Sequence, residues 1–156
     1  MKEFNIIAKI TISSYEELNP EEKKLINSAK GLTQNAYAPY SKFKVGAAVL
    51  LDNGEIIVGN NQENIAYPSG ICAERVAVFY ANASYPDVKI KTIAIAAYFN
   101  DDYVEQLSPC GSCRQVLQEA ENRFHSPIRI LLYRKNEIYI VESIKDLLPL
   151  GFQEIS

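Results

Sequence analysis

Leu25, Ile26, Ala29 and Leu32 recur at the three- and four-residue spacing of a helix with one apolar face. Just ahead of them, Asn19-Pro20-Glu21-Glu22 supplies a capping side chain, a proline suited to the first helical position and acids at the positive end of the helix dipole. A helix therefore starts there. The segments Val45 to Leu51 and Glu55 to Val58 flank Asp52-Asn53-Gly54, and Asn-Gly between apolar runs predicts a hairpin of two antiparallel strands. A polar stretch from Gly59 to Gly70 leads to Cys72-Ala73-Glu74-Arg75. After it, Val76, Ala77, Val78, Phe79 and Ala81 predict a largely buried helix that opens at the cysteine and ends before Pro86.

Lys89 to Tyr98 carries Ile93, Ile95 and Ala97 on one face and small apolar residues on the other, as an interior strand covered on both sides does. A loop rich in Asp and Asn follows. Ser108-Pro109-Cys110-Gly111 then opens a helix over Ser112 to Asn122, where Val116, Leu117 and Ala120 have helical spacing. Strands over Ile128 to Tyr133 and Glu137 to Val141 surround Arg134-Lys135-Asn136, and Ser143 caps a short final helix ending near Pro149. The order α-β-β-α-β-α-β-β-α predicts an α/β fold, a three-layer α/β/α sandwich with a central mixed sheet of about five strands. Helix-connected strands are expected to be parallel neighbours, with an antiparallel hairpin at the start. Residues 19–156 read as a single domain. Residues 1–18 form an extension in which Phe4 to Ile10 has the alternating, β-branched character of an added edge strand.

Composition narrows the function classes. A chain of 156 residues suits one core, and 47% hydrophobic with 22% charged residues provides for it and excludes wholesale disorder. The net charge of −3 lacks the basic excess that nucleic-acid binding needs. Lys2, Glu3 and Lys9 interrupt the first apolar segment, and no apolar run reaches membrane-spanning length, so a cytoplasmic protein without a membrane partner is expected. Three cysteines, two of them in Cys110-x-x-Cys113, favour metal or redox chemistry in a reducing compartment over a disulfide framework.

Taken alone, Cys110-x-x-Cys113 fits a structural zinc site or a redox pair. Cys72 adds a third thiolate, and three protein ligands leave a position open for water, as catalytic zinc requires. His125 is available as a fourth ligand, but it lies outside the cysteine pattern and reads as an ordinary exposed histidine. Glu74, two residues after a ligand, can reach a metal-activated water without coordinating the metal, which is a general-base position. Three thiolates leave the site with a formal charge of −1, which helix N-termini and Arg75 can offset; otherwise Arg75 is a surface salt-bridge residue. Cys72-Ala73-Glu74 followed by Pro109-Cys110-Gly111-Ser112-Cys113 also matches the general pattern of zinc deaminases.

Five stretches carry a wider resemblance: Ala38-Pro39-Tyr40-Ser41-Lys42-Phe43-Lys44-Val45-Gly46-Ala47-Ala48, Gly59-Asn60-Asn61-Gln62-Glu63-Asn64-Ile65-Ala66-Tyr67, Cys72-Ala73-Glu74-Arg75, Pro109-Cys110-Gly111-Ser112-Cys113-Arg114-Gln115-Val116, and Leu147-Leu148-Pro149 with Phe152. From about Leu25 to Phe152 the sequence resembles the small homotetrameric zinc-dependent cytidine deaminases. The resemblance implies one Zn²⁺ per subunit and hydrolysis of cytidine and deoxycytidine to uridine and deoxyuridine in pyrimidine salvage. Water activated by the metal adds to C4 of the cytosine ring while Glu74 protonates N3 and then the departing amino group, which leaves as ammonia. It also implies that Phe43 packs on the pyrimidine, that Asn61 and Glu63 hydrogen-bond the ribose, and that Ala73 meets the base through its backbone. Tyr67 and Phe152 reach a neighbouring subunit's site. Without the resemblance, Phe43 reads equally as core, Asn61 and Glu63 as solvated loop residues, and Phe152 as folded back on its own domain. Two departures are visible: the extension over residues 1 to about 18, and Gly59-Asn60-Asn61 in place of Gly-Cys-Asn. The rival readings are a related zinc deaminase acting on a nucleoside antibiotic such as blasticidin S, against which the Asn61/Glu63 segment speaks, and a non-catalytic zinc-stabilised binding protein, which has no use for Glu74.

Overall fold

Asn19 caps the first helix reciprocally. Its side chain accepts from the Glu22 N–H at 2.9 Å, and the Glu22 carboxylate accepts from the Asn19 N–H at 3.1 Å. The computed structural model describes residues 1–153, so the last three residues of the predicted domain lie outside the described residues. In chain order the elements are β1 (Thr11–Ser13), α1 (Pro20–Leu32), β2 (Lys44–Leu51), β3 (Ile56–Asn60), α2 (Ala73–Ser84), β4 (Ile90–Phe99), β5 (Asp102–Tyr103), α3 (Gly111–Phe124), β6 (Arg129–Tyr133) and β7 (Ile138–Val141). The hairpin turn between β2 and β3 closes with the Gly54 N–H donating to the Leu51 carbonyl at 3.0 Å. Gly54, at φ +87°, takes the left-handed position, and Asn53 keeps ordinary backbone, so a three-residue connection replaces a tight Asn-Gly turn.

The strands form one mixed sheet in the order β1-β7-β6-β4-β2-β3, with β5 beside β4. The five predicted strands are all present, and the short β1 and β5 are added to them. β4 and β6, joined by α3, are parallel neighbours as expected. β3 and β4, joined by α2, are not neighbours: β2 lies between them and pairs antiparallel with both. The expected edge strand falls at Thr11–Ser13, paired antiparallel with β7, rather than at Phe4 to Ile10.

Alternation along β2 and β4 divides the core into two layers. Val49, Leu51, Ile93 and Ile95 pack with Ala77, Val78 and Ala81 of α2 and Leu117 and Ala120 of α3. On the other face, Ala48, Leu50, Ala94 and Ala96 meet Leu25, Ile26 and Ala29 of α1. This is the predicted sandwich, one helix against two. Two glycines let helices approach the sheet closely. A Cβ on Gly46 would stand 2.0 Å from the Ala29 carbonyl oxygen, and one on Gly59 would stand 2.7 Å from the Ala77 nitrogen and 2.8 Å from the Ala73 oxygen. The second contact draws the N-terminal end of α2 onto β3.

Two expectations need correction. The predicted final helix is a single 3₁₀ turn, Ile144–Asp146, with Ser143 accepting from the Lys145 N–H, because Pro149 leaves no room for a longer helix. α2 is buried on one side only: Phe79 and Tyr80 face outward, 48% and 61% exposed.

Candidate active site

Cys72 and Cys110 occupy equivalent places, each the N-cap residue of a helix with extended backbone and no side-chain cap hydrogen bond. Their thiols are thus left free at the positive ends of α2 and α3. Cys113, in the first turn of α3, completes the group. The Cys72 and Cys110 sulfurs are 3.9 Å apart and those of Cys110 and Cys113 3.5 Å apart, with all three within 4.8 Å of one another. Sulfurs bonded tetrahedrally to zinc at about 2.3 Å stand roughly 3.8 Å from each other, so the spacing suits that ion.

Electrostatics points the same way. A hydrogen bond from Cys113, with help from the Arg75 guanidinium, lowers the Cys72 thiol to about 5, and the same sharing pushes the Cys113 thiol up. Three cysteine sulfurs side by side form a soft donor set, and that set fits zinc. Arg75 Nη2 donates to the Cys72 sulfur at 3.8 Å, and among the described residues its buried Nε has no partner, so this arginine faces the sulfurs rather than a surface carboxylate.

Cys72 and Cys110 line a cavity of about 650 Å³, within the size range of small-molecule sites. Glu74 lines it although only 6% exposed. Burial raises its carboxyl above the usual range, and the neighbouring Cys72 charge acts in the same direction.

Phe43, Asn61, Glu63 and Tyr67 also line the cavity. Asn61 is held between strands: its Nδ2 donates to the Phe43 carbonyl at 2.9 Å and its Oδ1 accepts from the Val45 N–H at 2.8 Å. It therefore fixes the backbone that carries Phe43. The Phe43 ring also rests against Phe99, with centroids 6.0 Å apart. One Glu63 oxygen accepts from the N–H groups of Tyr40 and Ser41 at 2.9 and 3.2 Å, leaving the other oxygen outside these two bonds. The Ser41 hydroxyl and these N–H groups hold the Glu63 carboxyl below the usual range. Tyr67 meets Tyr40 edge to face at 6.3 Å.

Ala73 and Cys113 do not line this cavity, and neither does Phe152, which is expected in a neighbouring subunit's site. Ala73 and Cys113 are fully buried behind it. Phe152 is 83% exposed and away from its own chain's cavity, while its carbonyl accepts from the side chains of Gln115 and Gln118 at 2.8 and 3.1 Å. His125 is exposed in left-handed conformation at the C-terminal end of α3, apart from the cysteines. Tyr40, Ser41, Leu107 and Ser108 also line the cavity, and only the tertiary fold identifies them as lining residues.

The family model for the cytidine and deoxycytidylate deaminase zinc-binding region matches residues 19–125. The chain is 46% identical over 97 residues to the cytidine deaminase of Sporosarcina psychrophila, covering 62% of this chain and 68% of that one. With the cytidine deaminase of Mycoplasma genitalium it shares 33% identity over 130 residues, 83% of this chain and 94% of the other. The crystal structure of cytidine deaminase from Burkholderia pseudomallei superposes with a TM-score of 0.70 at 34% identity, covering 83% of this chain and 98% of that one. That of Mycobacterium tuberculosis gives 0.66 at 30% identity, covering 87% and all of the other chain. The cysteine trio, the buried glutamate and these matches together place this chain in the zinc-dependent cytidine deaminase family.

Proposed function

We propose that the chain hydrolyses free cytidine and deoxycytidine to uridine and deoxyuridine, releasing ammonia, as a step of pyrimidine salvage. The observation that carries this reading is one cavity lined by Cys72 and Cys110 of the three-cysteine cluster, by the buried Glu74, and by Phe43, Asn61 and Glu63.

Cys72, Cys110 and Cys113 hold one zinc ion, which when bound supplies the Lewis acidity that makes water nucleophilic at neutral pH. Glu74 takes a proton from the attacking water and passes it to N3 of the ring as C4 accepts the oxygen. The same carboxylate then carries the second water proton to the 4-amino group. The C4–N bond breaks, ammonia leaves, and the oxygen remains as the carbonyl of uracil. Arg75, which donates to the Cys72 sulfur, offsets the surplus negative charge of the thiolates. Phe43 stacks on the pyrimidine, and the main chain of Ala73, at the start of α2, meets the base. The other oxygen of Glu63 and the remaining amide hydrogen of Asn61 receive the sugar hydroxyls, which discriminates against a free base.

The active unit on this reading is a homotetramer in which Tyr67 and Phe152 reach a neighbour's site. Support comes from the exposure of Phe79, Tyr80, Ile65 and Phe152, more apolar surface than an isolated domain needs to show. The cytoplasm suits three free cysteines that must stay reduced to bind metal. Among the described residues no helix is long and apolar enough to cross a membrane. Residues 19–156 act as one domain, to which residues 1–18 are an appendage.

The test is ammonia release from cytidine, deoxycytidine, cytosine and blasticidin S. Turnover of the two nucleosides alone is expected. Turnover of blasticidin S alone would transfer the enzyme to the antibiotic, and release from none of the four would leave a zinc-stabilised binding protein.

A further inference from the structure

The two ligand-bearing segments are anchored in different ways. Ahead of Cys72, Ile71 is tied on both sides to Gln62, N–H to carbonyl and carbonyl to N–H, each at 2.9 Å. Ahead of Cys110 the chain from Gln106 to Pro109 has no regular structure, and among the described residues no backbone hydrogen bond holds it. Cys110 is itself exposed. A ligand at the end of an unsupported segment would spend much of its time away from the ion.

Arg114 supplies the missing support. From the first turns of α3 it reaches back so that Nε donates to the Pro109 carbonyl at 2.9 Å and Nη2 to the Ser108 hydroxyl at 2.8 Å. Its Nη1 donates to the Leu147 carbonyl at 2.7 Å, just past the buried Ile144. The Pro109 carbonyl belongs to the peptide that joins Pro109 to Cys110. Because that unit is planar, fixing its oxygen fixes the plane from which the Cys110 side chain departs. A guanidinium can hold three acceptors at once in a rigid fork, whereas a lysine offers one nitrogen on a flexible stem.

We propose that Arg114 is a positioning residue for the metal, holding the Pro109–Cys110 peptide against the Leu147 segment so that the Cys110 sulfur stays on the ion. The proposal rests on the reading of the three cysteines as zinc ligands. Arg114 touches neither the sulfurs nor the substrate wall. Its effect is on how long the ion stays, and partners of this kind change metal affinity by about 10- to 100-fold when removed.

The experiment measures the rate at which zinc-loaded protein loses its ion to an excess of chelator, with circular dichroism of the loaded protein as the check on folding. Arg114→Gln is expected to lose zinc at least about tenfold faster than the parent. Arg114→Lys should fall between the two, and Ser108→Ala, which removes one of the three contacts, should show a smaller acceleration. Arg123→Gln, which removes an arginine bonded to the Pro86 carbonyl at the far end of the same helix, should match the parent. Retention by folded Arg114→Gln within twofold of the parent overturns the proposal, as does an equal acceleration in Arg123→Gln. Should Arg114→Gln fail to fold, Arg114→Lys and Ser108→Ala decide on the same readout: faster loss supports the proposal and parent-like loss defeats it. A parent that binds no zinc at all would instead refute the metal reading on which the proposal stands.

Discussion

Glu74 combines burial with a place on the cavity wall, two conditions a proton carrier needs and a surface acid lacks. Replacing it by glutamine keeps shape and removes the proton. Glu74→Gln is therefore expected to keep zinc and fold while ammonia release falls by at least about 10²-fold, read in a coupled ammonia assay with zinc measured on the same sample. Near-parental turnover would take the acid–base role away from Glu74. Arg75 is a different case, because its guanidinium donates to the Cys72 sulfur. Arg75→Gln should lower turnover by about tenfold or more with the fold intact, beyond what loss of an exposed ion pair worth ~0–1 kcal/mol can do. Unchanged turnover would return Arg75 to an ordinary charged side chain. Asn61 shows how one residue serves two ends: the amide expected on the sugar also holds the backbone on either side of Lys44 and so places Phe43.

Helix positions depend on where the sheet allows close approach. Gly46 and Gly31 make opposite predictions from the same substitution. At Gly46 an added methyl meets the Ala29 backbone oxygen, which cannot step aside without moving α1. Gly46→Ala should destabilise by about 1–3 kcal/mol. At Gly31, inside α1, a Cβ meets nothing within 4 Å, so alanine gains helix propensity without a clash. Gly31→Ala should stabilise by about 0.4–1 kcal/mol. Urea unfolding of both variants checks the pair, and equal shifts would mean that the α1–sheet contact does not set the packing. The β4–β5 connection shows the same dependence of an element on local backbone. Asn100 and Asp101 both take positive φ, 51° and 62°, and turn a stretch that reads as a polar loop into a tight hairpin.

On the proposed assembly, Phe152 of one chain reaches the site of a neighbouring copy. Its carbonyl is tethered to α3 while its ring stands in solvent, an arrangement suited to insertion into a second copy. Phe152→Ala should raise KM for cytidine. Co-expressed with Glu74→Gln, it should recover activity that neither variant has alone, because a mixed assembly contains sites with native Glu74 and native Phe152 from different chains. No recovery in co-purified hybrids would confine each site to a single subunit. A fully active monomer by light scattering would dispose of the assembly altogether.

The features legible in the sequence are those settled within a few residues. The Asn19 capping box, the glycine-closed turn at Gly54, the cysteines opening two helices and the Glu74 spacing all follow from short-range geometry, and all are present. The three candidate ligands were legible because zinc chemistry requires particular side chains; the structure brings their sulfurs together in a group that fits the ion. Strand order was not legible: β2 separates β3 from β4 because pairing joins segments distant along the chain, and periodicity carries no record of which partner is chosen. The outward turn of Phe79 and Tyr80 escaped for the same reason, since the apolar run from Val76 to Ala81 shows its exposed side only once its neighbours are placed. Nor could periodicity locate β1 at Thr11–Ser13, where the β7 edge determines which residues pair. Arg114 stood in the quoted motif without a role, because its three acceptors come from Ser108, Pro109 and the distant Leu147. Short-range chemistry was written in the order of residues, and long-range contact existed only after folding had chosen which surfaces to bury.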